Sequence, residues 1–585
     1  MYCLKCGTQL SDTAKFCHVC GTVVQKATPP PPDFYNPPPM DEPAARGIPR
    51  GLLGCGVALL GVLLVGGLAI IIAYFALGLN RTADVAELVP DDAVAAVSIR
   101  PGLLQLNELR DTDRLMGSTA AFAPLLIVPG VGDFVLDLQS DYGPILQNAN
   151  IDPAEDILPW VGREVGVAVV DDFGSEVVVA AAVRNEDRAA AFLADLQEQL
   201  EDGGVEVDES DHGGVSVIEV VSPTYLEPIA LAVADGRLLL ASNRDVLEDA
   251  LDRAGSDRDT LAGNDAFRDA MGAQGGNRLG SIYISPDAIR SRVDGGDALD
   301  ALRWIGGSFG MIGDGLRFNY QVGYDRDALD DRQRDWLERG GIDNDLAQRV
   351  PADTIFYFSA ENWVGAMEFA ADTAPEFEEA LSDIRNDQVT GGLYNLMELM
   401  TGEFAVAITS ASDDILLQEM VGLPYGLLIV SQTDDGDDTR AELDDLFGDI
   451  ARDLGVDYDT DEFAGSEVGF LEEDFAGRIL AYGVDGDDMV LGTSEGLLEA
   501  ALEGDDPLAG NERFRTTMNA LPDGGLAYFY FDLDEVRDGL AGVIGLGMST
   551  FEDYSENIEA FGLAVEPLDR SGVQNAEMFF LFESP

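Results

Sequence analysis

Four cysteines near the start of the chain carry its most specific chemistry. Cys3 and Cys6, then Cys17 and Cys20, form two Cys-x2-Cys knuckles separated by ten residues. Four thiolates at this spacing can close a tetrahedral Zn2+ site, and Gly7 and Gly21, directly after each knuckle, allow the tight turn it needs. A redox pair needs one such knuckle, not two matched ones. With four cysteines filling the shell no coordination position stays open, so the expected Zn2+ is structural. His18, inside the second knuckle, is then a bystander.

Beyond residue 80 the absences decide more. All three lysines precede it, and past it there is one histidine, His212, and no cysteine. That excludes a P-loop lysine, a Schiff base, a lysine general base, a histidine-rich zinc site and a cysteine protease. Carboxylates are abundant enough to leave paired acids for glycoside hydrolysis open. Two acidic clusters offer oxygens to Ca2+: Asp434-Asp435-Gly436-Asp437-Asp438 and Asp457-x-Asp459-x-Asp461. The second departs from the EF-hand pattern, with Glu462 where glycine is needed and Val468 at the twelfth position. Both read as solvated loops.

The element that organises these residues is the stretch 51–79, which contains no charge. At ~1.5 Å per residue a helix of that length exceeds the ~30 Å hydrocarbon core of a bilayer. It reads as a transmembrane helix rather than a cleaved signal peptide, because fifty residues precede it and its apolar run is too long. Arg46 and Arg50 flank one side and Arg81 the other, a thin positive-inside margin. Reduced, metal-ready cysteines place the tail in the cytosol and the body outside. Gly54 and Ala58 form a small-xxx-small pair suited to a second copy in a homodimer, and Cys55 reads as an unmodified apolar residue. The tail segment CLKCGTQLSDTAKFCHVCGTVV resembles the short zinc-ribbon domains at the N-termini of many prokaryotic membrane proteins. Residues 28–50 follow as a proline-rich, semi-rigid spacer.

Charge divides the chain at the same place. Beyond residue 79 lie 30 of the 35 basic and 104 of the 108 acidic residues, a net charge of −74. Such a surface repels nucleic acid and anionic headgroups, and it suits a salty medium that screens self-repulsion. With no cysteine the body must be stable through its cores alone.

The body is one unit written twice. LVPDDAVAAVSIRP at 88–101 returns as RVPADTIFYFSAEN at 349–362, and LAGNDAFRDAM at 261–271 returns as LAGNERFRTTM at 508–518. A strand-like run then D-x-I-R, with Leu279 and Arg290, returns at the same offset with Leu526 and Arg537. Ala189, Phe192, Leu193, Leu196 and Leu200 make one buried helix face, matched by Leu443, Leu446, Phe447, Ile450 and Leu454. Asp235-Gly236 and Asp485-Gly486 are hairpin turns in matching places. One helix per several strands predicts an α+β body of mostly antiparallel sheet. The V-P-x-D opening, the segment IDPAEDILPWVGREVGVAV and the LAGN-x-x-F element together resemble domain of unknown function 3352, an uncharacterised bacterial family with no assigned activity to carry over. The second unit has no clear match to the DILPW segment. The organisation expected is a zinc ribbon at 1–27, linker 28–50, transmembrane helix 51–79, and ectodomain repeats at 80–341 and 342–585.

Two stretches match the G-x-S-x-G nucleophile elbow, around Ser308 and Ser494. The second lies between a strand-like and a helical run, where a hydroxyl also serves as N-cap. The corresponding turn in the first repeat, around Asn243, is a cap and no elbow, and a triad would have to borrow His212 from the other repeat. The reading is therefore a membrane protein with a structural zinc ribbon and a non-catalytic body that binds or senses an extracytoplasmic ligand or protein. The alternative is an extracytoplasmic, glycosidase-like hydrolase using carboxylates.

Overall fold

The computed structural model describes residues 84–100, 156–157, 159–171, 174–202, 205–221, 228–256, 259–274, 278–291, 297–367, 399–410, 425–463, 465–473, 477–540 and 558–583. The cysteine knuckles, the linker and the apolar stretch 51–79 lie outside these residues. Among the described ones no helix is long and apolar enough to cross a membrane.

Among the described residues ten strands form the first half: β1 (Ala95–Ile99), β2 (Val161–Val169), β3 (Val177–Val183), β4 (Glu206–His212), β5 (Val215–Val221), β6 (Ile229–Ala234), β7 (Arg237–Ala241), β8 (Gly280–Ile284), β9 (Leu302–Ile312) and β10 (Gly315–Tyr324). Ten more form the second: β11 (Thr354–Glu361), β12 (Glu403–Ser410), β13 (Tyr425–Gln432), β14 (Asp457–Phe463), β15 (Ser466–Glu473), β16 (Gly477–Asp485), β17 (Asp488–Gly492), β18 (Ala527–Asp532), β19 (Ile558–Val565) and β20 (Val573–Phe582). By hydrogen-bonded neighbours the first half runs β4-β5-β6-β7-β3-β2-β1-β8-β9-β10. The second repeats that order as β14-β15-β16-β17-β13-β12-β11-β18-β19-β20. Every pairing among the described residues is antiparallel. The halves meet at β10 and β20, Gly315 opposite Leu581 and Gly323 opposite Val573, so a single twenty-stranded sheet results. The body has the expected α+β class, of mostly antiparallel sheet with helices.

Each half carries helices on both faces. Helix α1 (Glu186–Asp202) packs Ala189, Phe192, Leu193, Leu196 and Leu200 against the face that holds Val97. Helices α2 (Arg244–Arg253) and α3 (Asp265–Ala273) cover the opposite face, which holds Ala96 and Tyr283. A short α4 (Pro286–Arg290) follows β8, and α5 (Asp331–Leu337), closed by an Asp330–Gln333 capping box, follows β10. In the second half α6 (Gly436–Leu454) buries Leu443 and Phe447, with Leu446 and Ile450 packed beside them. Helices α7 (Glu495–Glu503) and α8 (Glu512–Met518) lie on the other side, and α9 (Leu533–Leu540) follows β18. Covered on both faces, β3 reads as a continuous buried run, VVVAAAV.

The repeated motifs have one physical purpose. Asn264 and Asn511 are the N-caps of α3 and α8. Each also donates its amide to the V-P-x-D turn, Asn264 to Asp91 O and Asn511 to Ala352 O, both at 2.9 Å. The main chain adds Leu261 N to Val89 O and Leu508 N to Val350 O. The two motifs recur together because each satisfies the other's backbone.

Both acidic clusters depart from the loops expected of them. Asp435 is the N-cap of α6, accepting from the amides of Asp437 and Asp438. Asp457, Asp459 and Asp461 are exposed on β14, an outer strand of the sheet, and β4 at the opposite edge is acidic too. Charge on an edge strand deters pairing with other chains. The first hairpin turn is as expected: Asp235 and Gly236 both have positive φ, as a type I′ turn requires. The second lies one residue later than expected. Asp485 pairs with Asp488, leaving Gly486-Asp487 as the loop, and only Gly486 has positive φ, which makes a type II′ turn.

Asn264 joins two elements, whereas Asn243 caps α2 through Val246 N alone. In urea unfolding of the full chain, Asn264→Ala is expected to cost about 1–3 kcal/mol and Asn243→Ala about 0.5–2 kcal/mol. Equal losses would show that the bond to Asp91 contributes nothing.

Candidate functional site

The expected metal ligands Cys3, Cys6, Cys17 and Cys20 lie outside the described residues. Among the described residues no group of three or more His, Cys, Asp or Glu side chains is placed to hold a metal ion. Ser308 sits in the middle of β9, with no strand-to-helix turn beside it. Ser494 is buried and accepts from Leu497 N at 3.3 Å as the N-cap of α7, and Asn243 caps α2 in the same way. His212, at the end of edge strand β4, has Nε2 2.8 Å from Asp252 Oδ1 and Nδ1 3.4 Å from Glu248 Oε2. The bond to Asp252 raises its pKa. The structure places Ser494 and His212 in different halves, each with its own partners.

A cavity of about 450 Å3 opens elsewhere, between the sheet and α3 in the first half. Its polar wall comes from Ser98 on β1, Glu164 on β2 and Ser281 on β8, with Arg100 and Arg278 at strand ends and Asp84 at the start of a short 3-10 turn. Phe267 and Met271 of α3, with Val85, supply the apolar wall. Glu164 is the deepest charge, only 5% exposed. Its Oε1 accepts from Ser98 Oγ at 2.9 Å. Its Oε2 has no hydrogen-bond partner and lies 3.9 Å from Arg100 Nη1. Arg278 is half-buried, its Nη1 is without a hydrogen-bond partner, and burial and then the neighbouring Arg100 lower its pKa. Burial, then Glu87 and Glu164, push the Asp84 carboxyl above its ordinary range.

The second half contains the same site in filled form. Strand register makes Ser98 and Ser359 equivalent, the first opposite Gly166 and the second opposite Ala405. Glu164 and Glu403 each lie two residues before those partners, so they are equivalent too. This aligns β2, the strand after the DILPW segment, with β12. Ser359 Oγ donates to Glu403 Oε1 at 3.2 Å, as Ser98 does to Glu164. Glu403 also accepts from Leu346 N at 3.4 Å, at the 3-10 turn Asp345–Gln348. Around it the cavity residues are replaced: Tyr357 stands for Ala96, Tyr528 for Ser281, Glu361 for Arg100 and Gly525 for Arg278. Both tyrosines are buried and bonded, Tyr357 to Asn344 Oδ1 at 2.6 Å and Tyr528 to Pro522 O at 3.0 Å. Tyr357 packs edge-on against Phe514, the counterpart of Phe267, with ring centroids 5.7 Å apart. Aligning the repeats position by position exposes these exchanges, and that was the signal available in the sequence.

The family of proteins of unknown function DUF3352 matches residues 53–582. The chain belongs to this family. A zinc-ribbon domain matches residues 2–24, which include all four knuckle cysteines. No curated protein matches the chain. Solved structures of crystal forms I and III of TP0453 are each 11% identical to it, with TM-scores of 0.24 and 0.23. They cover 42% and 43% of this chain and 79% and 83% of their own.

Burial pushes the Glu403 carboxyl up, against the bonds from Leu346 and Ser359 that lower it. A carboxyl whose folded pKa exceeds its unfolded value costs stability as pH rises from the unfolded value to the folded one. Glu403→Gln keeps an acceptor oxygen. It is expected to gain on the parent as pH rises above 4.5, the gap closing below that value. A gap independent of pH would contradict this account. Ser494→Ala is expected to cost about 0.5–2 kcal/mol as a lost cap. A fluorophosphonate probe should leave the parent unlabelled, and labelling that Ser494→Ala removes would contradict the cap.

Proposed function

We propose that this protein is a single-pass membrane protein whose cytosolic zinc ribbon is structural and whose acidic body binds a ligand at the cell surface without catalysis. The observation that carries the binding role is the cavity beside Glu164 and Arg278, open in one half and filled in the other. A buried carboxylate oxygen and a buried guanidinium nitrogen without hydrogen-bond partners are costly unless something occupies the space between them.

The topology rests on the uncharged stretch 51–79. The family region begins at residue 53, so this stretch belongs to what the family shares. The bilayer is then a partner through the span, and Gly54 and Ala58 offer a close-packing surface for a second copy. Cys3, Cys6, Cys17 and Cys20 would hold one Zn2+ in a closed tetrahedral shell that stabilises the tail.

One observation favours a carboxylate-dependent hydrolase: Asp84, with a raised pKa, lines the same cavity as Glu164. Two carboxyls lining one cavity are the minimum such a hydrolase needs. Against it, the Ser–Glu pair persists at Ser359 and Glu403, where tyrosines stand in the substrate's place. A pair retained there serves the fold.

Protease added to intact cells should digest the body and spare the first fifty residues; protection of the body would overturn the topology. Purified full-length protein should contain one zinc per chain, and Cys17→Ser should release it. A zinc-free parent would remove the site.

A further inference from the structure

The cavity's chemistry narrows its ligand, and this step rests on the binding role proposed above. Two arginines, Arg100 and Arg278, face two acids, Asp84 and Glu164. A simple anion would satisfy Arg278 and leave Glu164 Oε2 with no donor; a simple cation would do the reverse. Outside the cavity the body's charge of −74 further opposes the entry of an anion. A molecule that carries both charges meets both groups and crosses that field at no net cost. The remaining wall, Phe267, Met271 and Val85, is apolar, and about 450 Å3 is near the lower end of ligand-site volumes.

We propose that the first-half cavity is a binding site for a small zwitterion with an apolar side chain, of the α-amino acid class. Its carboxylate is held by Arg278 with Arg100, and its ammonium group donates to Glu164 Oε2. Its side chain lies against Phe267 and Met271. The second half, with Tyr357 and Tyr528 in the equivalent positions, is a closed copy that completes the sheet and takes no such ligand.

The test is calorimetric titration of the full-length chain in lipid nanodiscs with four probes. They are L-leucine, glycine, 4-methylpentanoate (carboxylate and apolar tail only) and isoamylamine (ammonium and apolar tail only). L-leucine is expected to bind with one site per chain, and each of the other three about tenfold or more weaker. Arg278→Gln should weaken leucine by a similar factor, and Ala96→Tyr, which copies the second half, should abolish binding. If Ala96→Tyr does not fold, Arg278→Gln alone decides the location. Equal affinity for 4-methylpentanoate or isoamylamine would overturn the zwitterion class while leaving the binding role in place. Binding of leucine undiminished by Arg278→Gln would move the site elsewhere and overturn the assignment. Heat from none of the four probes would overturn the assignment and remove the support for the binding role with it.

Discussion

Nine residue pairs between β10 and β20 hold the two halves of the body in one sheet. Without that seam each half would end in an uncovered strand edge, a template for aggregation. Side chains reinforce it: Asn319 donates to Glu577 at 2.9 Å and Gln321 to Asn575 at 3.0 Å. Phenylalanines continue across it, one from each of six neighbouring strands from β9 to β11. Phe309, Phe318, Phe580, Phe561, Phe529 and Phe356 follow one another with ring centroids 4.9–5.9 Å apart. Such cross-strand aromatic pairs add to what main-chain pairing alone supplies. The seam joins residues 250 or more positions apart, so closing it carries a large loop-closure entropy cost. Among the described residues the outer edges of the sheet are the acidic strands β4 and β14.

Duplication within one sheet lets the copies diverge without loss of the scaffold. The Ser–Glu pair, the Asn-capped helix and the V-P-x-D turn persist in both halves because each satisfies backbone or carboxylate groups. What differs is the volume above that frame. Small residues at 96 and 281 leave a cavity in the first half, and large, hydrogen-bonded tyrosines fill it in the second. Glu403, in the second half, accepts from the amide of Leu346; Glu164 Oε2, in the first, has no hydrogen-bond partner and only the ion pair with Arg100.

The sequence shows most of the architecture and little of the site. The helix face from Ala189 to Leu200 is legible because a 3.6-residue period survives any tertiary context, and all five of its apolar positions are buried. The duplication and the cap at Ser494 are legible for similar local reasons. The strand formed by Asp457, Asp459 and Asp461 is not, because an edge strand needs no buried face and its acids imitate a loop. The cavity is hidden for a different reason. Ala96, Glu164 and Ser281 come from separate strands, with Arg278 just ahead of the third, and the pairing register brings those strands side by side. Abundant carboxylates across the body gave Glu164 no distinction until its burial was known.

The central claim is that the two copies form one cooperative sheet through β10 and β20. Native-state hydrogen exchange of the full chain tests it most directly. Amides of β10 and β20 should exchange with the same opening free energy as those of β1 and β2 in one half and β11 and β12 in the other, all set by global unfolding. Earlier exchange along the seam, with the halves then opening at separate free energies, would show two independent domains and contradict the account.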